Sequence, residues 1–293
     1  MTLPKRVDLF QSKLDKEFNF KMMGVINITP NSFSDGGNFT DANSIKAQIN
    51  HFRSYHCSHF DFGAESTAPF NDGISAKEEI LRLSPLFDLL RAGEFTPLET
   101  LSFDTYKLEV FEEIIKLVRD ELKLTNKVIF NDVSGVLEEG LFKLMNNYEF
   151  DYVYSHCLTP SRSETSNHMN YLLDEIDLSE YFRKAKDVFR AEGYLDRVIF
   201  DPCFGFSKNS KQNLDLIETT KEWITEGDRW VLGVSRKSFL RALSHSSKRE
   251  DQFLFSELLH TQILSSWMNN LHNSLILIRL HDPQIFHSAV LMK

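Results

Sequence analysis

Polar residues close several short apolar runs in this chain. Asp104 ends Thr100–Phe103, Asn131 ends Lys127–Phe130 and Asp201 ends Arg197–Phe200. A single polar strand end is readily explained by solvent. Three in a row ask for partners or a ligand, because burying an unpaired charge is costly. Two carboxylates and an amide suit a flat nitrogen heterocycle: Asp accepts from an amino and ring N–H pair, and Asn both donates and accepts. A second group is cationic or rich in donors: Asn27, Arg236, Lys237, Arg279 and His281. Ser235–Ser238 reads Ser-Arg-Lys-Ser where an apolar run passes into a helical one, so free backbone N–H groups would face an anion. The chemistry implied is a slot for a heterocycle beside an edge for phosphate or pyrophosphate.

Those residues need a frame that brings them to one place. Apolar runs of strand length recur at Met22–Ile28, His59–Phe62, Thr100–Phe103, Lys127–Phe130, Tyr152–Tyr154, Arg197–Phe200, Trp230–Val234 and Leu275–Leu280. Helical spacing lies between them. Phe111, Ile114, Ile115, Val118 and Leu122 share one face, as do Phe255, Leu258, Leu259, Ile263 and Trp267. Asp41 caps another helix, followed by Ile45, Ile49 and Phe52. Strand–helix alternation implies a parallel sheet. Eight strands predict a closed (β/α)8 TIM barrel over 21–293, with 1–20 as an N-terminal extension; an open doubly wound sheet is the alternative. In a barrel all strand C-termini meet at one mouth, where barrel sites lie, and phosphate commonly binds near the last two strands. Thr159–Asn170 is polar and reads as a flexible excursion.

Composition narrows the function classes. The chain has 293 residues, 42% hydrophobic and 26% charged, so it can build a sizeable core. A formal net charge of −9 without a basic patch argues against nucleic acid. Cys57, Cys157 and Cys203 lie far apart, which fits a reducing compartment and no zinc site. The charged N-terminus is not a secretory signal, and no apolar run reaches the roughly 20 residues that span a bilayer. A cytoplasmic protein with no membrane partner is expected. His51, His56 and His59 lack metal-ligand spacing, and neither a Walker A loop nor a Gly-x-Ser-x-Gly elbow occurs.

The segments "MGVINITPNSFSDGG", "FGAESTAPF", "SFDT", "NDVSG", "FDPCFGFSKN", "VLGVSRKS" and "IRLHD" together resemble the dihydropteroate synthase family, in order and spacing, from about Met22 to Asp282. The resemblance implies a (β/α)8 barrel of the folate pathway. Such an enzyme joins 6-hydroxymethyl-7,8-dihydropterin diphosphate to 4-aminobenzoate and releases pyrophosphate. It implies pterin binding by Asp104, Asn131, Asp201 and Lys237, with Asp104, Asp201 and Lys237 carrying catalysis. Asn27, Arg279 and His281 would hold the diphosphate, and Asn27 would also contact Mg²⁺. Phe33, Thr67, Pro69, Phe206 and Ser238, with Lys237, would border the aminobenzoate. Phe33 would ride a loop that closes over the site, and a homodimer is expected.

The chain departs from the family pattern in places. The second loop carries Ala68 and Phe70 where the family has Arg and Gly, which puts tight closure over aminobenzoate in question. The segment "FDPCFGFSKN" has Cys203 and Ser207 where Gly is usual, and Ser155 and Cys157 flank His156 where Met is common. Two other readings stay open: a pterin-binding relative with weak or no turnover, and a methyltransferase-type domain that holds methyltetrahydrofolate. The Ser-Arg-Lys-Ser turn and the "NSFSDGG" loop weigh against the second.

Overall fold

Eight short parallel strands follow one another around a closed barrel, each paired with its neighbours in sequence and the first with the last. The computed structural model describes residues 19–29, 41–65, 73–272 and 274–292. Phe33, Thr67, Ala68, Pro69 and Phe70, and all but the last residues of the expected N-terminal extension, lie outside them. The strands are β1 Phe20–Asn27, β2 His59–Gly63, β3 Thr100–Asp104, β4 Val128–Asp132, β5 Asp151–Ser155, β6 Val198–Asp201, β7 Arg229–Leu232 and β8 Leu275–Leu280. They match the expected apolar runs to within two residues at either end.

Helices cover the outside. They are α1 Ala42–Arg53, α2 Ala76–Arg91, α3 Leu108–Lys116, α4 Glu139–Asn147, α5 Leu178–Ala191, α6 Ser210–Glu218, α7 Thr220–Trp223, α8 Ser238–Arg241, α9 Arg249–Asn270 and α10 Pro283–Met292. The starts of α1, α2, α5 and α6 are set by Asp41, Ser75, Asp177 and Asn209, whose side chains satisfy first-turn N–H groups. Asp41 accepts from Ser44 N at 2.8 Å, and Asn209 and Gln212 form a reciprocal capping box on α6. Ile45, Ile49 and Phe52 of α1 are buried as expected. Outward strand residues such as Phe62, Phe103, Phe130 and Trp230 form a continuous core with the helices, including a Phe111–Phe130 stack at 4.1 Å.

Side chains alternate along each strand, so the barrel interior is layered. Met23, Ile129, Val153, Ile199, Val231 and Leu277 form a dry middle layer. Two residues further along, Asn131, Asp201, Gly233 and Arg279 face the C-terminal mouth. Two residues earlier, Lys21, Lys127, Arg229 and Leu275 face a separate cavity of about 270 Å³ at the other end.

After Lys116 the helix of Phe111, Ile114, Ile115 and Val118 widens to a π-turn in which Leu122 N bonds Leu117 O, and Leu122, half-buried, packs against the same core as expected. Two sequence expectations are corrected. In α9 the buried face is Ser256, His260, Leu264 and Trp267, while Phe255 and Leu258 are 37% and 62% exposed. Apolar residues occur all round this helix, so periodicity could not choose the inward face. Thr159–Asn170 is no flexible excursion: Arg162–Asn170 is a 3-10 helix with Thr165 and His168 fully buried. Arg162 anchors it on Asp132, Glu138, Tyr106 O and Val136 O. Asp132 also accepts from Tyr152 Oη at 2.7 Å, which makes this strand-end carboxylate part of the scaffold.

Candidate active site

The strand ends meet in a cavity of about 390 Å³. Every site residue expected from the sequence that is described lines it: Asn27 from β1, Asp104 from β3, Asn131 from β4 and Asp201 from β6, then Phe206, Lys237, Ser238, Arg279 and His281. Phe33, Thr67 and Pro69 lie outside the described residues. Gly63 makes room beside Asp104, since a Cβ there would stand 3.3 Å from the Asp104 Cβ.

The organising group is one that the sequence reading missed. Asp61, in the middle of β2, has no solvent exposure. It accepts from Arg279 Nε at 2.6 Å, from Ser102 Oγ at 2.6 Å, and from Asn131 Nδ2 at 3.1 and 3.0 Å. Arg279 also reaches Asp104. The signal was present as a charged residue between Phe60 and Phe62 in an otherwise apolar strand, since a buried carboxylate demands a cation.

Asp61 settles the orientation of Asn131. A carboxylate only accepts, so the amide must turn its NH₂ inward. Its Oδ1 is then a buried acceptor with no partner among the described residues. Asp201 Oδ1 accepts from Cys203 N at 2.6 Å. Asp104, Asn131 Oδ1 and Asp201 thus converge as acceptors in one cavity. Burial raises both carboxyls above the usual range. At Asp104 the pull of Arg279 opposes this and the Asp61 charge adds to it; at Asp201 the Cys203 N–H, Lys237 and Arg279 oppose it.

The donor side is equally defined. Burial and then the Arg279 charge push His281 down to about 3, so its ring is neutral at pH 7. Ser235 Oγ accepts from the His281 backbone N–H at 3.2 Å and lies 3.0 Å from ring Nδ1. That distance lets the hydroxyl donate to Nδ1, the arrangement in which Nε2 carries the ring proton and is a donor. Burial lowers Lys237, and its Nζ lies 4.9 Å from the centre of the Phe206 ring. That ring rests on His168 at 4.2 Å.

The loop after β6 carries left-handed backbone at Cys203, Gly205 and Ser207, with φ of 51, 87 and 47°. Glycine adopts such angles without strain, which accounts physically for Gly in the family pattern where this chain has Cys203 and Ser207. Ser207 offsets its strain through hydrogen bonds: its N–H donates to His168 Nδ1 and its Oγ accepts from Leu158 N, both at 3.2 Å. On the β2 side, Glu65 is held by Tyr106 Oη at 2.9 Å and by Lys107 just before residues 66–72 begin. Among the described residues no group of three or more His, Cys, Asp or Glu side chains is placed to hold a metal.

Comparison with known proteins gives one consistent result. The sequence profile of a family described as pterin binding enzyme matches residues 23–263. A dihydropteroate synthase of Clostridium beijerinckii is 32% identical over 232 residues, covering 77% of this chain and 79% of that protein. A mitochondrial folate synthesis bifunctional protein of Pisum sativum is 32% identical over 232 residues, or 75% of this chain. The aligned part is 43% of that relative, so this chain spans less than half of its length. Among solved structures, a dihydropteroate synthase from Clostridium difficile in the presence of pteroic acid superposes with a TM-score of 0.72. It is 22% identical, with 94% of this chain and 97% of that one covered.

Proposed function

This chain belongs to the pterin-binding enzyme family, and on that premise we propose that it is a dihydropteroate synthase, joining 6-hydroxymethyl-7,8-dihydropterin diphosphate to 4-aminobenzoate with release of pyrophosphate. The observation that carries this reading is the convergence of three acceptors, Asp104, Asn131 Oδ1 and Asp201, in one cavity with Arg279, His281 and Lys237. A dihydropterin presents several N–H donors from its ring and amino group, and those acceptors satisfy them.

The chemistry follows from the placement. The bond between the pterin methylene carbon and the diphosphate oxygen breaks, and the aryl amine nitrogen forms a new bond to that carbon and gives up a proton. Positive charge spreads onto the pterin ring as diphosphate leaves, and the carboxylates of Asp104 and Asp201 favour it. Arg279 is already fixed by Asp61 and Asp104, so its charge needs no reorganisation to favour the departing anion. Neutral His281 adds a donor there. Lys237, Phe206 and Ser238 border the space assigned to the aminobenzoate. Asn27 offers one amide oxygen, too few for a metal cage, but Mg²⁺ commonly takes one or two protein ligands plus substrate phosphates. Mg²⁺ held jointly by Asn27 and the diphosphate would neutralise leaving-group charge.

The test is a coupled assay of pyrophosphate release. Release is expected with both substrates and not with the pterin diphosphate alone. Bound pterin without turnover at any aminobenzoate concentration would refute the synthase reading and leave a binding protein. Leu254, Phe255 and Leu258 on α9 and Leu291 and Met292 on α10 are exposed apolar side chains on two helices that pack on one another, and we assign these helices to a homodimer contact. Leu258→Glu should then yield monomers in sedimentation, and an unchanged sedimentation rate would refute that assignment. Three free, buried thiols support the cytoplasm as its compartment. No helix among the described residues is long and apolar enough to cross a membrane.

A further inference from the structure

Lys208 is 2% exposed. Its Nζ donates to three backbone carbonyls: His156 O at 3.0 Å, Phe206 O at 2.9 Å and Cys203 O at 3.3 Å. Those three acceptors saturate an ammonium without a carboxylate. A buried charge placed this way is costly unless every donor is used, and here every donor is used on one structural task. Cys203 and Phe206 belong to the loop after β6. Cys203 N–H holds Asp201 Oδ1, and the Phe206 ring lies against Lys237. The third carbonyl follows β5, so the ammonium ties two strand ends together. The left-handed non-glycine residues Cys203 and Ser207, which bracket Phe206, persist only where the surroundings over-determine them.

We propose that Lys208 is a positioning residue whose ammonium holds the loop after β6 in the form that aims Asp201 and Phe206 into the cavity and places a positive charge behind Asp201. This rests on the reading that Asp201 binds a pterin. The titratable groups facing Lys208 are Cys203, Cys157, Asp201, Lys237 and His156, and burial, then the Lys208 charge, keep the His156 ring neutral. Burial keeps both thiols protonated, so neither neutralises the ammonium. Those facing Asp201 are Lys237, Arg279, Lys208 and the Cys203 thiol, and all three cations favour its ionised form. Lys208 itself is pushed down to about 8 by burial and remains charged below neutral pH.

The experiment titrates dihydropterin diphosphate into the protein by calorimetry between pH 5 and 8. Lys208→Met should weaken binding about tenfold at pH 7.5 through the lost hydrogen bonds. It should also move the acid limb of binding upward by about half a pH unit, because a cation that favours ionised Asp201 is gone. Lys208→Arg keeps the charge and should return the limb to the wild-type position. Where Lys208→Met does not fold, Lys208→Gln, neutral but able to donate, should show the same displaced limb. A lysine with only a structural role would lower affinity equally at every pH. An unmoved limb in the neutral variants, or a displaced one in Lys208→Arg, overturns the proposal. Pyrophosphate release by the wild type is scored separately, so failure of the synthase reading is distinguishable from failure of this one.

Discussion

Replacing Asp61 by Asn tests the group that organises the site. Asp61 accepts four hydrogen bonds, from Arg279, Ser102 and twice from Asn131. An amide has one acceptor oxygen, and the Arg279 guanidinium claims it because a charged donor binds more strongly. The new NH₂ then faces Asn131, which must turn its own oxygen inward to meet it. Breaking a buried ion pair costs about 3–5 kcal/mol. Arg279 keeps Asp104, so the lower figure applies, about 3 kcal/mol or about 5 °C in melting temperature. The turned Asn131 now shows a donor to the cavity where an N–H-rich ligand needs an acceptor. That mismatch costs about 1–3 kcal/mol, or about 5- to 150-fold in affinity. Urea unfolding and calorimetric titration with the pterin diphosphate measure both. An Asp61→Asn protein that unfolds at the wild-type urea midpoint and binds the pterin as tightly would show that Asp61 neither holds Arg279 nor orients Asn131.

Other expectations follow from the same geometry. Asp201→Asn places a donor opposite a pterin donor and should weaken binding by about 1–3 kcal/mol; calorimetry showing unchanged affinity would remove Asp201 from the site. Chelating divalent metal should suppress pyrophosphate release, with Asn27→Ala reproducing part of the loss, and equal rates in EDTA and Mg²⁺ would exclude the metal role. His260 is buried and pushed down to about 4 from an unfolded value near 6.5. It therefore takes up a proton on unfolding between those values, and its share of stability is present above pH 6.5 and lost as pH falls toward 4. His260→Gln should flatten the pH dependence of unfolding in that window by about 1.4 kcal/mol per pH unit; urea midpoints at pH 5 and 7 with an unaltered difference would contradict it.

Much of the barrel was legible because its signals are local. Strand-length apolar runs, helical periodicity and capping residues each act within a few residues, and together they located all eight strands. The binding residues at strand ends, such as Asn27, Asp104, Asn131 and Asp201, were legible too, since a parallel barrel brings strand ends to one mouth; Phe206 and Ser238 lie beyond the strands and were read from the family resemblance. The rest depended on partners distant in sequence. Asp61 meets Arg279 across 218 positions and Asn131 across 70, and neither pairing leaves a local trace. Which oxygen Asn131 offers, the neutrality of His281 and the lowered affinity of Lys208 for its proton come from burial and neighbouring charge, which exist only in the assembled fold. The inward face of α9 was ambiguous because its apolar residues surround the helix, and the barrel wall chose Ser256 and His260 over Phe255 and Leu258. Thr159–Asn170 looked loose because it is polar. Arg162 on Asp132 and His168 on Ser207 fix it, since buried charges and donors hold a polar segment as firmly as apolar contacts hold a helix. The sequence alone determined the strands, their order and the strand-end residues; the tertiary structure decided which of those polar groups are spent on one another and which remain for a ligand.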